Sequence, residues 1–173
     1  MLEQYFVPEY MMNSFIDLTP EFLECIGAKA VIAEIDNTLS AYDEKEPNEK
    51  VRAWIMSLLS RGIRVAIVSN ASENRVRRYC ANLPVPACAD AKKPSIRAIT
   101  SAMRKMGSDP GNTVIVGSRL LVDVFAGRRL GLTTIAVEPI KQKNDHKARI
   151  EQSIEKRYVY AYQLNKSRST VEF

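Results

Sequence analysis

Ala30-Val31-Ile32-Ala33-Glu34-Ile35-Asp36-Asn37-Thr38 runs four apolar residues into two acids, an amide and a hydroxyl. An uninterrupted apolar run of this length reads as a strand buried on both faces, and the polar residues after it as the turn at its carboxyl end. The pattern recurs. Val65-Ala66-Ile67-Val68 leads into Ser69-Asn70, and Thr113-Val114-Ile115-Val116 leads into Gly117-Ser118. Thr133-Thr134-Ile135-Ala136-Val137 follows Gly131, and a shorter fifth strand fits residues 85–88 among prolines.

Helical periods fill the gaps between these runs. Val51, Trp54, Ile55, Leu58 and Leu59 fall at i, i+3, i+4, i+7 and i+8, with Pro47 ahead of them and Gly62 behind. Further helices are predicted over residues 72–82, 95–106 and 120–130, and an N-terminal one from Thr19-Pro20 to Gly27. Strand and helix alternate, so the expected architecture is α/β: right-handed crossovers building an open, doubly wound, mostly parallel sheet of five strands. The length and the 46% hydrophobic content suit one domain over residues 1–173, with a core at 1–140 and a basic helix and tail at 141–173.

Composition narrows the function. No apolar run is long enough to span a bilayer, and the N-terminus has neither a basic lead-in nor a continuous apolar stretch, so a cytoplasmic protein is expected. Cys25, Cys80 and Cys88 form no CxxC and His146 is the sole histidine, which argues against a zinc site or a disulfide framework. Of the net charge of +5, residues 141–173 carry +4, with eight Lys/Arg against four Asp/Glu. Such a tail is either a solvated helix face or a contact for an anionic surface. Nucleic acid ranks last among its partners, for the chain lacks an aromatic stacking motif.

In open parallel sheets, ligands bind beyond the carboxyl ends of the strands, where the strand order reverses. The residues placed there are Glu34 and Asp36, Ser69 and Asn70, Lys92 and Lys93, and Ser118 through Asp123. Acids, a hydroxyl and amide pair, and lysines at one edge make a phosphate site: lysine supplies a point charge, Ser69 and Asn70 supply donors, and carboxylates suit a hard cation. No glycine-rich nucleotide loop accompanies them.

This order of residues resembles the haloacid dehalogenase (HAD) superfamily. Its first motif, DxDx[TV], is matched by Glu34-Ile35-Asp36-Asn37-Thr38, its second by Ser69, its third by Lys93, and its fourth, GDxxxxD, by Gly117-Ser118 through Asp123. The resemblance is closest to the YqeG-type class IIIA phosphatases, whose relatives include mitochondrial phosphatidylglycerophosphatases. It extends to Val7-Pro8-Glu9-Tyr10, Ala91-Lys92-Lys93-Pro94 and Asp123-Val124 with Gly127, Arg129 and Gly131. It implies a three-layer HAD-like sandwich without a cap domain, since the loops after Thr38 and Cys88 are too short to hold one, and therefore an open site.

What the resemblance implies chemically is an acyl-phosphate mechanism. Glu34 stands at the nucleophile position, Asp36 acts as general acid and base, Ser69, Asn70 and Lys93 bind phosphate, and Ser69 and Lys93 assist catalysis. Mg²⁺ is implied at Glu34, Asp36, Ser118 and Asp123. The expected substrate is a phosphorylated small molecule or a lipid head group. Two positions depart from the pattern, since the family carries aspartate where this chain has Glu34 and Ser118. Glutamate carries its carboxylate about 1.5 Å farther out, and misplacement by about 1 Å can cost on the order of a hundredfold in rate. Serine brings no charge to a hard cation. The expected result is an impaired phosphatase or, alternatively, a non-catalytic protein that binds a phosphorylated ligand or a protein partner.

Overall fold

The computed structural model describes residues 3–141 and 146–169. Its centre is a six-stranded sheet: β1 (Tyr10–Met12), β2 (Ala30–Ala33), β3 (Arg64–Val68), β4 (Ala87–Cys88), β5 (Thr113–Gly117) and β6 (Thr133–Val137). The strand order is β1-β6-β5-β2-β3-β4, and each neighbouring pair is parallel. The chain passes from β2 outward to β3 and β4, then returns to β5 on the other side of β2. The reversal therefore falls between β2 and β5, and Glu34 and Ser118 follow directly on those two strands.

Both faces of the sheet are covered. Successive side chains of a strand point to opposite faces. Val31 and Ala33 of β2 join Val65, Ile67, Val114 and Val116 beneath α1 (Pro20–Cys25), α2 (Glu49–Ser60) and α3 (Glu73–Cys80), where Leu23, Trp54, Ile55, Leu58 and Tyr79 complete one core. Ala30 and Ile32 join Ala66, Val68 and Ile115 on the other face, under Ile99, Met103 and Met106 of α4 (Arg97–Met106) and Ala126 of α5 (Phe125–Leu130). This is the expected three-layer HAD-like sandwich.

Three details differ from expectation. The sheet has six strands, because β1 adds to its edge with Tyr10 opposite Ile135. Three residues of Tyr-Met-Met carry too weak a β signal to read. The helix expected over 120–130 is divided into a π-helical turn, Leu120–Val124, and α5. Lastly, α6 (His146–Ser169) folds back onto the sheet. Its Tyr158 and Val159 pack on Leu120, Val124 and Ala136, Tyr158 stacks on Phe6 with ring centroids 4.9 Å apart, and the Tyr162 hydroxyl accepts a hydrogen bond from the Met11 N–H at 3.2 Å. Among the described residues, no helix is long and apolar enough to cross a membrane.

Candidate active site

Lys93 organises the strand edge. Its ammonium nitrogen lies 2.8 Å from Glu34 Oε2 and 2.7 Å from Asp123 Oδ1, with the lysine and Asp123 side chains each 1% exposed. The lysine reaches this point through a sharply turned loop in which Asp90 and Lys92 adopt φ of +45° and +53°. Each left-handed non-glycine residue costs about 1–2 kcal/mol, so the surrounding bonds must hold the loop. Asn70 provides two of them: its Oδ1 accepts from the Lys93 N–H at 2.7 Å, and its Nδ2 donates to the Lys93 carbonyl at 2.9 Å. The side chain of Asn70, expected to donate to phosphate, is thus committed to the backbone of Lys93. Its backbone N–H faces Glu34 Oε2 instead, at 3.3 Å.

Glu34 is held from several directions. The Ile35 N–H donates to Oε1 at 2.8 Å, and the Ser69 hydroxyl, which accepts the Ala71 N–H at 3.1 Å, helps to lower the carboxyl. Burial would raise the Glu34 carboxyl, but Lys93 and these donors outweigh it and hold the group below the usual glutamate range. Burial dominates at Asp123, where the neighbouring Glu34 charge adds to it, and Lys93 does not fully offset the two. Asp123 is therefore pushed up. Burial opposes the Lys93 charge as well, yet the two carboxylates prevail and raise it. One ammonium thus serves two buried acids.

The fourth motif is shaped by the close approach of Asp123. A Cβ at position 117 would overlap the Asp123 side chain, so only glycine fits there. The π-helical turn brings Asp123 back over the strand end, where its Oδ2 accepts the Arg119 N–H at 3.2 Å. Such turns recur at functional sites. Ser118 is 9% exposed, and its Oγ has no partner among the described residues.

Asp36 lies at the mouth of the site, bound by a residue the motif reading missed. Arg75 of α3 donates to Asp36 Oδ1 through Nε at 2.9 Å and Nη2 at 2.6 Å, and its Nη1 ties down the Glu44 carbonyl at 2.7 Å. Arg75 comes from a separate element, 39 residues along the chain, so no local pattern connects it to Asp36.

The implied Mg²⁺ does not fit this donor set. Asp123 and Glu34 share the Lys93 ammonium, Asp36 Oδ1 is bound to Arg75, and position 118 offers a neutral hydroxyl. A hard dication prefers carboxylate oxygens that are free to bind it. Among the described residues, no cluster of three or more His, Cys, Asp or Glu is arranged to hold a metal.

A cavity of about 340 Å³ is lined by Glu34, Asp36, Asn70 and Ser118 and, on one side, by Glu151, Gln152 and Glu155 of α6. The expected open access is therefore modified. No cap is inserted after β2 or β4, but the C-terminal helix supplies one side of the site. Arg119 Nη2 bonds both Glu151 oxygens, at 3.0 and 2.8 Å, and Glu155 accepts the Leu121 N–H at 3.2 Å. Burial pushes the Glu155 carboxyl up, against the opposing pull of the Leu121 and Leu120 N–H groups. Within a tail read as basic, Glu151 and Glu155 turn inward, while Arg149 and Lys156 are exposed. The spacing of Ala148, Glu151, Gln152 and Glu155 at i, i+3, i+4 and i+7 was the available signal for this inner face.

Comparison with known proteins agrees with the fold. Residues 4–131 match the haloacid dehalogenase-like hydrolase family. The chain is 32% identical over 161 residues to "Probable phosphatase YqeG" of Bacillus subtilis (strain 168), covering 93% of this chain and 94% of the other. In fold it is similar to the cobalt-bound deoxy-D-mannose-octulosonate 8-phosphate phosphatase of Haemophilus influenzae, with TM-score 0.53, 17% identity, and coverage of 80% of this chain and 91% of that one. It is also similar to a Legionella pneumophila structure assigned to HAD subfamily III A, with TM-score 0.52, 19% identity, and coverage of 70% and 72%. The chain belongs to the haloacid dehalogenase-like hydrolases and, within them, to the YqeG family.

Proposed function

We propose that this protein is a HAD-type phosphomonoester hydrolase whose turnover is held low by Glu34 and Ser118. The observation that carries this reading is the buried Glu34–Lys93–Asp123 group at the point of strand reversal, beside Asp36. In the reaction, a Glu34 carboxylate oxygen attacks phosphorus, the P–O ester bond breaks, and its electron pair leaves on the departing oxygen, which takes a proton from Asp36. Water then adds to the acyl-phosphate and passes a proton to Asp36, which releases phosphate and restores Glu34.

The same contacts account for the slowness. Both Glu34 oxygens already accept hydrogen bonds, so attack requires them to be surrendered first. Ser118 adds no charge to help. The substrate is a phosphorylated small molecule or a lipid head group, sized to a cavity of about 340 Å³ with one wall formed by α6.

A second reading, a non-catalytic HAD-fold protein that holds a phosphorylated ligand or a protein partner, is favoured by the engagement of Glu34 and Asp123 by Lys93 and of Asp36 by Arg75, which leaves no carboxylate cluster for a cation among the described residues. The double substitution Glu34→Asp, Ser118→Asp separates the two. Hydrolysis of an aryl phosphate with Mg²⁺ is expected to be weak but measurable in the wild type and about a hundredfold faster in the variant. A wild type at background with an active variant selects the second reading. Equal rates would refute impairment by these residues, and a silent pair would refute the phosphatase assignment.

A further inference from the structure

We infer that Glu34 is the resident anion of this site: its carboxylate fills the cradle that a phosphoryl group would otherwise enter, and so competes with phosphate. The inference rests on the reading of this strand edge as a phosphate site. It does not require that the site turn over.

Donors converge from three separate strand ends: the Ile35 N–H after β2, the Asn70 N–H after β3, and the Lys93 ammonium after β4, with the Ser69 hydroxyl adding to the pull on the Glu34 charge. Backbone N–H groups converging with a hydroxyl and an ammonium form the arrangement that recognises a small oxyanion. The Ile35 and Asn70 N–H groups and the Lys93 ammonium reach the Glu34 carboxylate, which is buried with Ile35, Ser69 and Lys93, while Asn70 is exposed. The cradle is already filled by a charged group of the chain itself.

The extra methylene makes this possible. An aspartate at position 34 would withdraw its carboxylate by about 1.5 Å, out of the centre of the donors. Charge reinforces the exclusion. Lys93 is the only cation in the buried group and is shared with Asp123. An entering phosphate would add negative charge beside two acids already served by one ammonium. Binding therefore requires Glu34 to swing out and give up its donors.

Calorimetric titration with inorganic phosphate tests this on the wild type and on Glu34→Ala, Glu34→Gln and Glu34→Asp, each checked for folding by circular dichroism. Glu34→Ala is expected to bind phosphate about tenfold or more tightly than the wild type, the equivalent of returning one charge-assisted hydrogen bond to the ligand. Glu34→Asp should gain less. Glu34→Gln, which keeps the bulk and loses the charge, should fall between the wild type and Glu34→Ala. Adding Ser69→Ala to Glu34→Ala should reverse part of the gain. If the alanine variant does not fold, the aspartate and glutamine variants decide the matter. Equal phosphate affinity in the wild type and the folded variants would overturn self-occupancy and leave the phosphate site standing. No binding by any of them would overturn the phosphate site itself.

Discussion

Two cations of the candidate site lie in opposite settings, Arg119 on the cavity and Lys93 buried behind Glu34. Lys93 is buried with Glu34 and Asp123, whereas Arg119 pairs with Glu151 at side-chain exposures of 42% and 26%. Both make contacts near 2.8 Å, so distance alone does not distinguish them. Solvent does. Breaking a buried pair strands an uncompensated charge in a poorly polarisable interior, while an exposed pair is screened and loses side-chain entropy on forming. The difference implies that the Lys93 group fixes the stability and chemistry of the site and that the Arg119 pair orients the wall above it.

The contrast is broken most severely at Lys93. Lys93→Met leaves Glu34 and Asp123 buried without their cation and is expected to destabilise the fold by about 3–5 kcal/mol, measured by urea denaturation near neutral pH. A loss below about 1 kcal/mol would place Lys93 in the same class as the exposed pair.

Titration sharpens the comparison next. The folded-state pKa of Lys93 is raised, so its contribution is fully present below the ordinary lysine value of about 10.4 and is lost as pH rises through the higher folded value. Glu34 is lowered, so its contribution is present above about 4.3 and lost as pH falls through the lower folded value. Asp123 is raised and acts in the opposite sense to Glu34, since its protonation on acidification relieves a buried charge. The denaturation midpoint should therefore fall more clearly on the alkaline side than on the acid side. In Lys93→Met the part of the alkaline fall that comes from this lysine should vanish.

The smallest effect lies at the wall. Glu151→Ala should change stability by less than about 1 kcal/mol and, through Arg119, alter the salt dependence of ligand binding more than the fold. A large stability loss would mean that α6 is held to the core chiefly by this pair, against the packing of Tyr158 and Val159.

These contrasts also mark what the sequence could reveal. β2, β3, β5 and β6 were legible because each is an apolar, β-branched run that ends in a turn, and the turns placed Glu34, Ser69 and Ser118 at the carboxyl edge. Lys93 was separable from Lys92 by position, and the structure buries Lys93 while Lys92 is exposed. Four things were hidden. β1 is too short and too poor in β-branched residues. The π-helical turn obeys the same apolar pattern as an α-helix. The role of α6 depends on which face of the helix turns inward, and the net charge of residues 141–173 conceals Glu151 and Glu155 among lysines and arginines. The Arg75 bond to Asp36 was likewise beyond local pattern, because it joins two elements only after both have packed.

The carboxylates Glu34, Asp36 and Asp123 are already engaged by the chain's own cations, Lys93 and Arg75, and among the described residues they leave no free carboxylate cluster for a dication. Calorimetric titration of the wild type with Mg²⁺, alongside Glu34→Asp, Ser118→Asp, tests this directly. The wild type is expected to show no saturable binding at millimolar Mg²⁺, and the double variant to acquire it. Saturable Mg²⁺ binding by the wild type, at the affinity of the variant, would contradict the account.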